Sequence, residues 1–350
     1  MNIPTEHADF LENIKSRFLN KPGITGVSVG YKEKEGKTLG GICVKVYVNR
    51  KLKLNDIPEE LQVPSNCDVV ERSFAIPNPM YGPNGERLIG TYDDIPENRL
   101  RQDPIRPGVS VGNYGITAGT LGLFCYNKKG ERGILSNFHV LAGHENFEIG
   151  DPILQPGAFD GGLVETDVIA NLSKIELSGK ADSAFAILNG SRNVIPTTVR
   201  DRVYFTDVAS LDIGDEVEKE GRTTGHTSGF VTAIGEWTIN YGAFGYQTIK
   251  SYEIRPTMTG QPFGQNVEVS YGGDSGAVWY KKERGRKILA CGLNFAGESY
   301  YMPRVENALA CDIPYIFKAF ELSLKNPNMS SYSNNRDTSG SSSSSSSSSS

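Results

Sequence analysis

With 350 residues the chain can hold one large domain or two ordinary ones. Its 38% hydrophobic and 22% charged content fits a globular protein in water, and a net charge of -5 gives no electrostatic reason to bind nucleic acid. No apolar run is long enough to span a bilayer as a helix, so no membrane partner is expected either.

The opening MNIPTEHADF lacks the basic start and apolar core of a secretory signal. The cysteines (Cys43, Cys67, Cys125, Cys291 and Cys311) are odd in number and have no C-x-x-C spacing. That argues against a disulfide framework or zinc site, and for a reducing cytoplasm.

Residues 1–75 read as a small α+β module. Phe10, Leu11, Ile14 and Phe18 share one helical face. GVSVGYKE and GICVKVYVNRKL then read as strands, and CDVVERSF as a further one. NDIPEELQ predicts a short helix, capped by Asn55 or Asp56 with Pro58 early. GITGVSVG lacks the G-x-G-x-x-G spacing and leads into a strand, which excludes a dinucleotide loop there. Residues 76–107, rich in Pro, Gly and Asn, read as a connecting segment.

Residues 108–325 read as a second domain, in which short alternating runs recur from about Gly108 to Ala310 between Gly and Asn/Asp turns, among them GTLGLFCYN, RVYF, GFVTAIG and ILACGL. Many short strands at such spacing predict a barrel or sandwich. KKERGRK, from Lys281 to Lys287, reads as a solvated hairpin loop. A helix follows in CDIPYIFKAFELSLK, where Ile313, Ile316, Phe317, Phe320 and Leu324 keep a helical stripe. Residues 326–350 end in a serine run that can bury nothing, and are expected to be disordered.

One stretch carries chemistry. VEVSYGGDSGAVWY, from Val267 to Tyr280, sets Ser275 between glycines with Asp274 before it. A tight turn alone explains that pattern. So does a nucleophile with its oxyanion hole built into the turn. A serine hydroxyl needs a base near neutral pH, and histidine suits the task. The four histidines (His7, His139, His144 and His226) all precede Ser275, which excludes the α/β-hydrolase order of Ser, acid, His. His139 lies in ILSNFHVLAG, a strand running into a turn and then small apolar residues. A core histidine bonded to backbone explains that segment equally well. His144, beside Glu145, reads as solvated.

The His139 segment resembles the corresponding element of trypsin-like proteases. KEGRTTGHTSGFVTAIG, from Lys219 to Gly235, resembles a strand pair of the bacterial α-lytic protease and streptogrisin branch. In order, ILSNFHVLAG, GDPILQPGAFDGG, ADSAFAIL, GRTTGHTSG and GGDSGAVW together resemble a bacterial group of trypsin-like peptidases with a small N-terminal region. The likeness covers residues 108 to 320. It implies a mainly β, chymotrypsin-like double β-barrel with a C-terminal helix, preceded by the α+β module. It further implies a serine endopeptidase acting on protein or peptide substrate, with no metal or organic cofactor.

Under that resemblance Ser275 is the nucleophile, His139 the general base, and the amides of Gly273 and Ser275 the oxyanion hole. Two aspartates head apolar runs, Asp167 and Asp182. Asp182 lies 43 residues after His139 and 93 before Ser275, which suits two barrels, whereas Asp167 follows His139 by only 28. Asp182 is the expected orienting acid. No Ile-Val-Gly-Gly start follows a basic residue to supply an amine for Asp274, so Arg222 is expected to pair with it. Val269, Asn294, Phe295, Ala296 and Gly297 are expected to line the substrate pocket. Val269 stands where an Asp would select Lys or Arg, which implies an uncharged P1 side chain. Phe295 replaces the serine that usually bonds the triad aspartate. The rival reading is a catalytically silent or autoinhibited binding module. Whether the N-terminal module recognises substrate, covers the cleft or binds a regulatory partner stays open.

Overall fold

The computed structural model of the chain describes residues 1–34, 37–76, 96–257, 269–298 and 306–329. Most of the predicted connecting segment and nearly all of the serine-rich tail lie outside the described residues.

Helix α1, Thr5–Phe18, buries Leu11, Ile14 and Phe18, which fall three and four apart. They pack on Val27 and Val29 of β1 (Ile24–Lys34) and on Val44 and Val46 of β2 (Lys37–Val48). Strand β3 (Asp68–Glu71) runs parallel to β2, and a short β4 follows at Phe74–Ala75. The predicted helix in NDIPEELQ is two 3-10 turns, Leu54–Asp56 and Glu59–Leu61. Pro58 lies between them, and a residue ahead of a proline is pushed out of helical conformation.

The next strands are β5 (Ser110–Asn113), β6 (Gly119–Thr120), β7 (Leu123–Tyr126), β8 (Arg132–Ser136), β9 (Pro152–Leu154), β10 (Val168–Leu177) and β11 (Asp182–Leu188). They pair in the order β6-β5-β9-β10-β11-β8-β7. The ring closes where β6 passes into β7. The Leu121 amide bonds the Val109 carbonyl at 2.8 Å and the Gly122 amide bonds that of Leu135 at 2.9 Å. One short helix, α2 (Phe138–Leu141), rides on this barrel.

Beyond it come β12 (Asp207–Val208), β13 (Glu216–Gly221), β14 (Gly225–Asn240), β15 (Tyr246–Pro256), β16 (Val278–Lys282), β17 (Ile288–Glu298) and β18 (Ala308–Asp312). Pairing runs β13-β16-β17-β18-β15-β14, and β14 returns to β13, so this ring also closes. The molecule is therefore mainly β, with two barrels as expected. Helix α3, Ile313–Phe320, follows β18 and is capped by Asp312, which accepts from the Tyr315 amide at 3.2 Å. The basic Lys281–Lys287 stretch comprises the last two residues of β16 and the turn leading to β17. No described helix is long and apolar enough to cross a membrane.

The strands of the N-terminal module form no sheet of their own. The first half of β14 pairs with β13, and its second half, Ala233 to Trp237, pairs with β1. A buried ionic cluster reinforces this junction. Glu33 takes bonds from Lys45 at 2.8 Å and Arg72 at 3.1 Å. Arg72 also pairs with Glu253 of β15 and reaches Glu298 of β17 at 2.9 Å. Asp68, Tyr47 and Arg255 complete the surroundings.

Burial raises the Glu33 pKa, but Arg72 and Lys45 outweigh it and lower the group from 4.5 to about 2. A carboxylate depressed on folding stabilises the fold above its unfolded value and loses that contribution as pH falls through its folded one. Urea titrations should therefore show stability dropping between pH 4.5 and about 2. Glu33→Gln should flatten that limb and cost ~3–5 kcal/mol at neutral pH, because it leaves buried cations short of a partner. An unchanged acid limb in Glu33→Gln would contradict this assignment.

Candidate active site

The barrels meet at a cavity of about 470 Å³ whose walls include His139 and Val140 from the first barrel and Tyr241, Gly273 and Ser275 from the second. Its side chains are positioned by local geometry. Asn137 precedes α2 in extended conformation, so the chain turns into the helix immediately before His139. The His139 ring then reaches Asp182, the first residue of β11, with Nδ1 2.5 Å from Oδ2. The other carboxylate oxygen accepts from the His139 backbone amide at 3.3 Å.

Asp182 is fully buried, and a third donor comes across the barrel junction: the Tyr241 hydroxyl, 2.7 Å from Oδ2. Burial and the Asp182 charge push the Tyr241 pKa well up, so the phenol keeps its proton and donates. Sequence reasoning missed Tyr241. It noted that Phe295 stands where a serine usually bonds this aspartate, yet nothing in TINYGAFG marks a tyrosine as the substitute. Phe295 itself is buried in the apolar cluster shared by the two barrels and the N-terminal module.

Ser275 sits on the turn before β16. The Asp274 amide bonds the Tyr271 carbonyl at 2.9 Å, and the Gly276 amide that of Asn294 at 2.8 Å. Gly273 has φ +95°, and a Cβ there would lie 2.5 Å from an Arg222 nitrogen and 2.6 Å from the Thr223 hydroxyl. Glycine is thus required both by conformation and by space. Thr120 holds the two carbonyls of the turn: its hydroxyl donates to Gly273 O at 2.8 Å and its amide to Ser275 O at 2.7 Å. Among the described residues no acceptor takes the amides of Gly273 or Ser275. His139 Nε2 is buried and has no hydrogen-bond partner. His139 and Ser275 therefore share the cavity without a hydrogen bond between them, a spacing that commonly tightens only when substrate is bound.

The remaining histidines and the second aspartate lie elsewhere. His144, expected to be solvated, is half-buried, with Nε2 3.1 Å from Asn113 Oδ1 and 3.4 Å from Asp151. His226 is exposed and bonds Glu218 at 2.9 Å. Asp167 is held by Arg101 at 2.8 Å and Arg192 at 2.5 Å, away from His139.

The expected Arg222–Asp274 pair does not form. Arg222 is fully buried and grips both oxygens of Asp160, Nε to Oδ2 at 2.6 Å and a terminal nitrogen to Oδ1 at 2.7 Å. The planar guanidinium matches a carboxylate approached end-on, which Asp160 presents from the opposite barrel. Burial raises the Asp160 pKa, but the Arg222 bond and charge, with Ser110 and Arg99, bring it below the ordinary value. Asp274 is instead held inside the second barrel by Lys219 at 3.2 Å, the Thr224 hydroxyl at 2.7 Å, and the amides of Thr223, Thr224 and Tyr271 at 2.8, 3.1 and 3.0 Å. The GRTTG stretch does serve Asp274, through its threonines rather than its arginine.

The expected pocket residues also need correction. Val269 is buried among Leu211, Val217 and Trp279 in the core of the second barrel. Asn294 is buried and ties the nucleophile turn, accepting from Trp279 Nε1 at 3.0 Å and donating to the Ser270 hydroxyl at 2.8 Å. Phe295 and Ala296 are core residues, and Gly297 is buried at the strand edge. None of the five lines the described cavity, whose apolar walls are Ile76, Ile116, Val140 and Phe244.

Two closed β-barrels that meet at a cavity are the architecture of the chymotrypsin fold. Solved structures of that fold match the chain: a glutamic acid specific serine protease (17% identity, TM-score 0.45, covering 63% of this chain and 100% of the other). A Nocardiopsis protease matches at 17% identity and TM-score 0.44, over 63% of this chain and 98% of its own. Protease A of Thermobifida fusca matches at 18% identity and TM-score 0.44, over the same shares of 63% and 98%. No family model and no curated protein sequence matches the chain.

Proposed function

We propose that the chain is a serine endopeptidase working through an acyl-enzyme. The observation that carries this reading is the His139–Asp182 hydrogen bond of 2.5 Å, with the far nitrogen of the ring left unpartnered in the cavity that holds Ser275. His139 Nε2 takes the Ser275 proton as Oγ adds to the substrate carbonyl, and returns it to the departing amine as the C–N bond breaks. Water then adds by the same route and releases the acid. The Gly273 and Ser275 amides bond the oxygen that gains negative charge at each addition. Asp182 keeps the Nδ1 proton in place and offsets the imidazolium charge. Lys219 satisfies Asp274 with a side chain, so the turn needs no amine from a cleaved terminus.

The apolar wall of the cavity favours an uncharged substrate side chain. Five free thiols, four of them buried, suit a reducing compartment such as the cytoplasm.

A fluorophosphonate probe tests the reading. Wild type should label at Ser275, and Ser275→Ala and His139→Ala should not, with turnover down by roughly 10⁴-fold or more. Cleavage across a broad peptide library separates an endopeptidase from an esterase built on the same residues. A folded wild type that neither labels nor cleaves overturns the assignment.

A further inference from the structure

Strand β17 changes neighbours along one edge. From Ile288 to Leu293 that edge is covered by β16, and Asn294 still bonds the nucleophile turn through Ala277. The other edge carries β18 as far as Gly297. Beyond the turn, the first edge is taken by β4, with Ala75 opposite Gly297 and Phe74 opposite Glu298. The segment is antiparallel to β17, so it advances toward Ser275 as its numbers rise. Ile76, the next residue, lines the cavity with His139, Gly273 and Ser275.

We propose that Ser73–Ile76 occupies this cleft's site for an extended peptide, so that the chain supplies its own occupant and foreign substrate binds only when that strand lifts away. The inference rests on the peptidase reading for the word substrate, but the binding site itself does not. Backbone pairing to an open strand edge accepts any extended sequence, and pockets for alternate side chains add selectivity. Here the selective position is that of Ile76, which shares the cavity with Ile116, Tyr241 and Phe244, so the displaced ligand class is an extended peptide with an apolar residue there.

Among its described residues the strap is held most firmly at its start. Arg72 is locked into the Glu33, Glu253 and Glu298 cluster, and Phe74 is buried edge-on to Trp237 with ring centroids 6.0 Å apart. Ala75 and Ile76 are only partly buried, so the end nearest Ser275 is where release begins.

Binding of a fluorescent Arg-Ser-Phe-Ala-Ile peptide to the Ser275→Ala protein, read by anisotropy, tests this without catalysis. An occupied site lowers apparent affinity by the fraction of time it is free. Ile76→Asp and, separately, Ala75→Pro should each tighten peptide binding by ~tenfold or more, since neither touches the anchored residues. Two variants guard against one misfolding, and their melting curves should follow the parent's. Equal peptide affinity in the parent and both folded variants overturns the proposal. Fluorophosphonate labelling of the same changes in a Ser275 background separates the two ideas. Tighter peptide binding with no labelling retains the strap and removes the peptidase, whereas labelling with unchanged peptide affinity does the reverse.

Discussion

Asp182→Asn is expected to lower peptide turnover by ~10⁴-fold while leaving the protein folded. The carboxylate accepts from His139 Nδ1, the His139 amide and the Tyr241 hydroxyl, and it has no exposed surface. An amide of the same shape must turn an N–H toward one of these donors. Turned toward the ring, it stabilises the tautomer that carries its proton on Nε2, which cannot accept the Ser275 proton. The loss should therefore fall on kcat rather than KM, and persist across the pH profile. Tyr241→Phe removes one charge-assisted bond, worth about 1.5–3 kcal/mol, and should cost roughly ten- to a hundredfold in kcat. An Asp182→Asn enzyme turning over near the wild-type rate would remove Asp182 from the mechanism.

A large loss of stability is expected from Lys219→Met. Lys219 and Asp274 are both fully buried and 3.2 Å apart. Burial lowers the Lys219 pKa and the Asp274 charge opposes that, so the pair depends on both partners. Removing the ammonium leaves a carboxylate with threonine and amide donors but no counter-charge, at a cost of ~3–5 kcal/mol. Because Asp274 is the residue before Ser275, labelling by the fluorophosphonate should fall with it. Lys219→Met with Asp274→Asn removes both charges and should recover most of the lost stability in urea, although not the labelling. A single Lys219→Met variant as stable as its parent would show that the pair is dispensable.

What could be read from the chain follows what local sequence can encode. The glycine-flanked turn at Ser275 and the strand running into a turn at His139 were legible because each needs particular residues within a few positions, while the roles of Ser275, Gly273 and His139 came only from the resemblance. Asp182 was preferred to Asp167 because its spacing from His139 and Ser275 suits the two-barrel layout that the resemblance implies, and the structure sets it against the His139 ring. Arg222 was misassigned because its partner is chosen by approach angle from the other barrel, and Asp160 gave no local sign of being that partner. Tyr241 was invisible for the same reason: its hydroxyl crosses the barrel junction, and its neighbours in sequence only build the strand end. Spacing from Ser275 located β17, but could not tell that both of its faces are buried through Asn294, Phe295, Ala296 and Gly297. Val269, ahead of the nucleophile turn, is buried as well, and a buried position there looks in sequence like a lining one. The module's place in the fold was hidden too, since GVSVGYKE reads as any strand and its partner lies about two hundred residues on in β14.

That partnership decides how the molecule can be divided. The 16 residues of β14 offer one edge to β15 and split the other between β13 and β1. A chain shortened to begin after residue 75 would keep both barrels but bare the rim from Ala233 to Trp237, stripping Tyr47 and Phe74 from the indole they cover. An unpaired apolar strand of that kind recruits a second copy of itself. The first residues thus cover the rim of the second barrel, and soluble monomers should be obtained by loosening the strap at Ile76 rather than by cutting the N-terminus away.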